Sequence, residues 1–140
     1  MRKTIFLFLL AAALSVFAAH AQAQIIIIAS PNMHADSISK SDVHDIFSGA
    51  SSNLRNGPRA RPVLLNACKT HDEFLSAYIG IQDPQFRSAW QSLVFSGKMA
   101  MPPSFDTEAE VVDYVTHHIF TVGYIHKSTP HDEVLVLAIK

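Results

Sequence analysis

One cysteine, five glycines and one tryptophan stand among 140 residues. The lone Cys68 excludes an internal disulfide, so the fold must rest on packing. Charge is scarce and balanced, with 11 basic against 12 acidic side chains and a formal net charge of −1. There is no basic run and no excess of positive charge, hence no electrostatic footprint for nucleic acid or an anionic membrane surface. No internal repeat, low-complexity tract or long linker divides the chain. The histidines number eight, yet no His-x-x-x-His and no cysteine partner at metal-ligand spacing occurs, so neither a metal site nor another cofactor is expected.

What is present begins with a leader. Arg2 and Lys3 precede an uncharged run from Thr4 to Ala19, and Ala21-Gln22-Ala23 has the small-x-small form that signal peptidase accepts. The expected division is a cleaved signal peptide over 1–23 and one domain over 24–140, exported to the periplasm or secreted. His20 falls in the leader and carries no chemistry. The remaining 117 residues suit a single domain with its own core, and their formal charge is −3.

Within that domain, apolar spacing and punctuation alternate strand and helix. Ile25–Ile28 is a β-branched run that reads as a buried strand. Ser39 opens a helix over Lys40–Ser48, with Asp42 in a capping box, Val43, Ile46 and Phe47 on one face, and Gly49 as the stop. Asn56-Gly57-Pro58 marks a turn, and Pro62–Leu65 a second strand. Thr70 reads as the cap of another helix, with Glu73 closing its box and Phe74, Leu75, Tyr78 and Ile79 as the stripe. Asp83-Pro84 starts a helix to Phe95 that turns Phe86, Trp90, Leu93 and Val94 inward. Thr107 and Glu110 open a last helix through His117, and Thr121–Ile125 and Val134–Ile139 read as closing strands. The pattern predicts an α/β fold.

The order of these segments carries a resemblance. Ile38–Gly49 (ISKSDVHDIFSG), the Asn56-Gly57 turn, PVLL, Asp72–Gly80, Phe86–Gly97 (FRSAWQSLVFSG), Glu108–His117 and Val122-Gly123-Tyr124-Ile125 follow one another as in short exported relatives of the phosphate-binding component of ABC transporters. The chain resembles that family, of the type II periplasmic binding protein fold, over Ile25–Ile125. The resemblance implies a single compact domain, a small mixed sheet flanked by helices, equivalent to one lobe of such a protein. It also implies non-catalytic binding of a small anion such as phosphate, with a membrane permease or another envelope protein as partner.

By the same resemblance, the ligand-binding positions are Ser30 and Asn32 after the first strand, and Lys69, Thr70 and His71 at a helix start. Both groups are expected at strand C-terminal ends, where α/β sheets place ligands. The family's phosphate binders have a glycine-serine-glycine-threonine-like turn preceded by arginine. This chain has Asn66-Ala67-Cys68-Lys69-Thr70-His71 instead, without the glycines that let backbone approach an anion. The alternative function is therefore a ligand-free interaction module of the cell envelope with the same fold. The bland readings are Thr70 as a cap, Lys69 as a solvated lysine and His71 as an exposed one. Cys68 beside His71 lacks an orienting third group, so no catalytic thiol is expected.

Overall fold

The computed structural model describes residues 24–140, so the expected leader lies outside the described residues. Twelve short elements follow in order. They are strands β1 (Ile25–Ala29) and β2 (Ser37–Ile38), helix α1 (Lys40–Ser48), strands β3 (Arg61–Pro62) and β4 (Leu64–Leu65), and helix α2 (Lys69–Phe74), which runs on through a π-helical turn (Leu75–Ile79). Then come α3 (Asp83–Phe95), β5 (Ser104–Phe105), α4 (Glu108–His117), β6 (Thr121–His126) and β7 (Leu135–Ile139).

A five-stranded mixed sheet in the order β2-β7-β1-β6-β3 forms the centre. β1 pairs antiparallel with β6 along its whole length, from Ile25 opposite His126 to Ala29 opposite Val122. On its other side β1 runs antiparallel to β7. The outer pairs, β2 with β7 and β3 with β6, are parallel. The second expected strand hands its pairing over midway. Arg61 and Val63 donate to Phe120 and Val122 of the main sheet, while Leu64 and Asn66 donate to Pro103 and Phe105, forming the parallel β4–β5 ladder. Pro62 sits where its missing N–H faces away from β6, which is why a proline is tolerated there.

Helices cover both faces of β6. Gly123 lies under α4: a Cβ there would come 2.9 Å from Val111 Cγ1 and 3.5 Å from Val115. Tyr124 points to the opposite face, where its ring stacks on Phe74 at 3.8 Å between centroids, with Phe47 edge-on to both. Ile27, Phe47, Phe74 and Tyr124 are wholly buried and anchor this half of the core.

Helix ends follow their local chemistry. Ser39 accepts from Asp42 N at 3.0 Å, and Gly49, at φ 81°, ends α1 in the left-handed region. The Asp42 carboxylate turns to Arg55 N rather than back to Ser39, so this box is half formed. Thr107 likewise accepts from Glu110 N, while Glu110 returns to Asp106. The full box stands at α3, between Gln82 and Gln85. Trp90 and Phe86 are buried as expected, and Trp90 Nε1 donates to Phe47 O at 2.9 Å. Val94 is not inward: it is 38% exposed. The fully buried stripe ends at Trp90, and the half-buried Leu93 packs over Gly49.

Candidate functional site

The helix start after β4 differs from its sequence reading. Cys68, extended at φ −161°, is the N-cap, and its side chain makes no capping bond. Thr70 is therefore already inside α2, and Glu73 pairs with Lys69 at 3.8 Å instead of closing a box. The first backbone bond of the helix is Asp72 N to Cys68 O. The N–H groups of Lys69, Thr70 and His71 thus precede the intrahelical ladder, as at any helix start. The Lys69 side chain is 90% exposed beside them.

Thr70 is turned inward, toward a carboxylate. Its hydroxyl donates to Glu108 Oε2 at 3.3 Å, and Thr129 Oγ1 donates to Glu108 Oε1 at 3.2 Å. The backbone N–H of His126 donates to the same Oε1. Two hydroxyls and an N–H, from the start of α2 and from the turn that ends β6, therefore converge on one anionic group, supplied by the chain itself at the first residue of α4.

His71 is not exposed, as its position suggested; it is wholly buried. Leu65 N donates to the Tyr124 hydroxyl at 3.0 Å, and Tyr124 lies 2.5 Å from His71 Nδ1. His71 Nε2 lies 2.7 Å from Asp83 Oδ1, and Arg87 Nε donates to Asp83 Oδ2 at 2.9 Å. A neutral imidazole protonated on Nε2 satisfies every group: Tyr124 donates to Nδ1, and Nε2–H donates to Asp83. Burial pushes the Tyr124 hydroxyl well above its ordinary range, and the Leu65 N–H offsets only part of that. For Asp83, partial burial pushes the carboxyl up. Hydrogen bonds from Arg87 and His71, together with the charge of Arg87, outweigh this and hold it below its ordinary value. His71 is thus a buried link between sheet and helix, its ring unavailable to a ligand at the surface.

Ser30 and Asn32 lie elsewhere. Ser30 is buried, its N–H donates to Thr121 O at 2.9 Å, and its hydroxyl donates to Asn32 Oδ1 at 2.8 Å. That is the beginning of β6, whereas Thr70 and Glu108 meet the chain at His126, its end. The five expected positions do not form one site. The cause is strand direction: β1 runs against β6 while β3 runs with it, so the chain leaves β1 toward the beginning of β6 and leaves β3 toward its end. Roughly 17 Å of strand separates the two groups. Asp83, Tyr124 and Glu108 were not legible as partners, because their contacts with His71 and Thr70 join residues 12 to 53 positions from one another, and Thr129 meets Glu108 across 21.

No family model and no curated protein matches the chain. Its fold does match solved structures. A structure assigned as a phosphate ABC transporter substrate-binding protein with bound phosphate, from Clostridium perfringens, aligns over 83% of this chain with a TM-score of 0.61 and 17% identity. An ABC-type phosphate transport receptor from Vibrio cholerae (TM-score 0.54, 12% identity, 83% of this chain) and PstS from Borrelia burgdorferi (0.56, 12%, 84%) align similarly. The alignments take in 44%, 46% and 47% of those longer chains. This chain therefore has the mixed α/β fold of somewhat less than half of a phosphate-transport substrate-binding protein.

Proposed function

We propose that this chain is an exported, non-catalytic solute-binding domain that takes a small oxyanion, such as phosphate, at the end of β6. The observation that carries this reading is the convergence of Thr70 Oγ1, Thr129 Oγ1 and the His126 N–H on a carboxylate. Those donors already hold an oxyanion of the chain's own. The open N–H groups at the start of α2 and the exposed Lys69 stand beside them and add positive potential. The solved neighbours are described as phosphate-transport proteins, which supports both the ligand class and an extracytoplasmic location. Ser30 and Asn32 have no part in this site. His71 acts in it only by fixing α2 to the sheet.

Glu108 also supports the second reading, a ligand-free interaction module: while its carboxylate fills the hydroxyl pair, the site is closed to a second anion. Calorimetry with phosphate and sulfate at low and physiological salt separates the two. As an oxyanion binder, the protein should bind weakly, because Glu108 competes and there is no arginine fork, and in a salt-sensitive way, because the exposed Lys69 is readily screened. Lys69→Ala and Thr70→Ala should weaken binding, and Glu108→Gln should strengthen it by removing the competing charge. Absence of binding in both the wild type and Glu108→Gln, or heats indifferent to Lys69→Ala and Thr70→Ala, would favour the module.

A further inference from the structure

The described residues carry a formal charge of −3, yet three of their nine cations gather at one place. Arg59, Arg61 and Lys98 line a cleft of about 400 Å³ between the start of β3 and the loop that follows α3, and no Asp or Glu lines it. None of the three forms an ion pair among the described residues. Arg61 is braced by one bond, Nη2 to Ile119 O at 2.8 Å, and the rest of its fork has no protein acceptor among the described residues. Trp90, Met99 and Tyr114 supply apolar wall to the same cleft.

Like charges held around a concave surface concentrate positive potential there, and a counter-anion relieves their repulsion. The volume falls within the range of small-molecule sites, which combine an apolar lining with a few polar anchors. Guanidinium forks match carboxylate and phosphate oxygens in pairs. An inorganic ion would leave the aromatic and thioether wall wet, whereas an acid with a hydrocarbon body would cover it. We infer that this cleft binds a small organic anion, an acidic head group on a short aryl or acyl body. It is a second site, separate from the oxyanion position: Thr121, at the beginning of β6, lines it, while Thr70 and Glu108 sit at the far end of that strand.

Trp90 is the only tryptophan of the chain and forms part of the cleft wall, so selectively excited tryptophan fluorescence is sensitive to its occupancy. The full protein would be titrated with 4-phenylbutyrate and, in parallel, with 4-phenylbutanol, which keeps the body and lacks the charge. The acid should give a saturable fluorescence change and bind at least about tenfold more tightly than the alcohol, the scale of a lost charge-assisted hydrogen bond. Arg59→Gln/Lys98→Gln should weaken the acid by a similar factor. Both side chains are exposed, so its melting temperature should match wild type. No saturable change with the acid, equal affinity for acid and alcohol, or unchanged affinity in the folded double variant would each overturn the inference. Should the double variant fail to fold, the acid–alcohol comparison on the wild type decides alone.

Discussion

Tyr124 has a single hydroxyl, and the fold uses both its faces: it accepts from Leu65 N and serves His71 Nδ1. Tyr124→Phe keeps the ring that stacks on Phe74 but leaves a buried N–H and a buried ring nitrogen without partners. A loss of about 1–3 kcal/mol is expected from those unsatisfied groups, read from urea unfolding. A variant as stable as wild type would show that the contact adds nothing. Asp83 makes the same network sensitive to acid. Its carboxyl titrates below the ordinary aspartate value of 3.8, so the folded state holds fewer protons than the unfolded chain in that window. The contribution is complete above 3.8 and is lost as pH falls through the folded value. Thermal melts from pH 6 to pH 2 should therefore decline more steeply for the wild type than for Asp83→Asn. Parallel curves would remove Asp83 from the acid response.

At the scale of elements, the residues that act locally were the readable ones. Ser39 and Gly49 bound α1 at the expected positions, and Asp83-Pro84 starts α3 where proline's missing N–H is harmless. Trp90 was placed correctly by its spacing from Phe86. Its replacement by alanine should cost about 3–5 kcal/mol, a figure for large buried aromatics that chemical denaturation can check. Thr70 misled because Thr-x-x-Glu is a cap only if the chain enters the helix there; extended Cys68 moves the entry to Lys69 and frees the hydroxyl for Glu108. Ser30 and Asn32 misled for another reason. Periodicity tells that a segment is a strand and says nothing of its direction, and the antiparallel run of β1 sends their loop to the beginning of β6 instead of its end. The Glu108 cluster and the His71 network draw on segments far apart in sequence, so no spacing rule could assemble them.

For the molecule as a whole, an exported role requires a leader that is removed. The proposed export predicts cleavage after Ala23, since Ala21 and Ala23 match the small-residue positions, so protein recovered from outside the cytoplasm should begin at or near Gln24. Edman sequencing that returned Met1 or Thr4 would remove the leader and the location together. The solved neighbours are more than twice as long as the stretch that this chain matches.

Strand polarity has a thermodynamic consequence. Two anions, one at each end of β6, would sit roughly 17 Å apart. Physiological salt screens charges over about 8 Å, whereas 10 mM salt lets them act over about 30 Å. Occupancy of one position should then leave the other's affinity untouched at physiological salt and lower it in dilute buffer. The two binding equilibria would be linked or independent according to ionic strength alone, with no movement of the backbone. Titrating 4-phenylbutyrate with and without saturating phosphate, at both salt concentrations, measures that linkage directly.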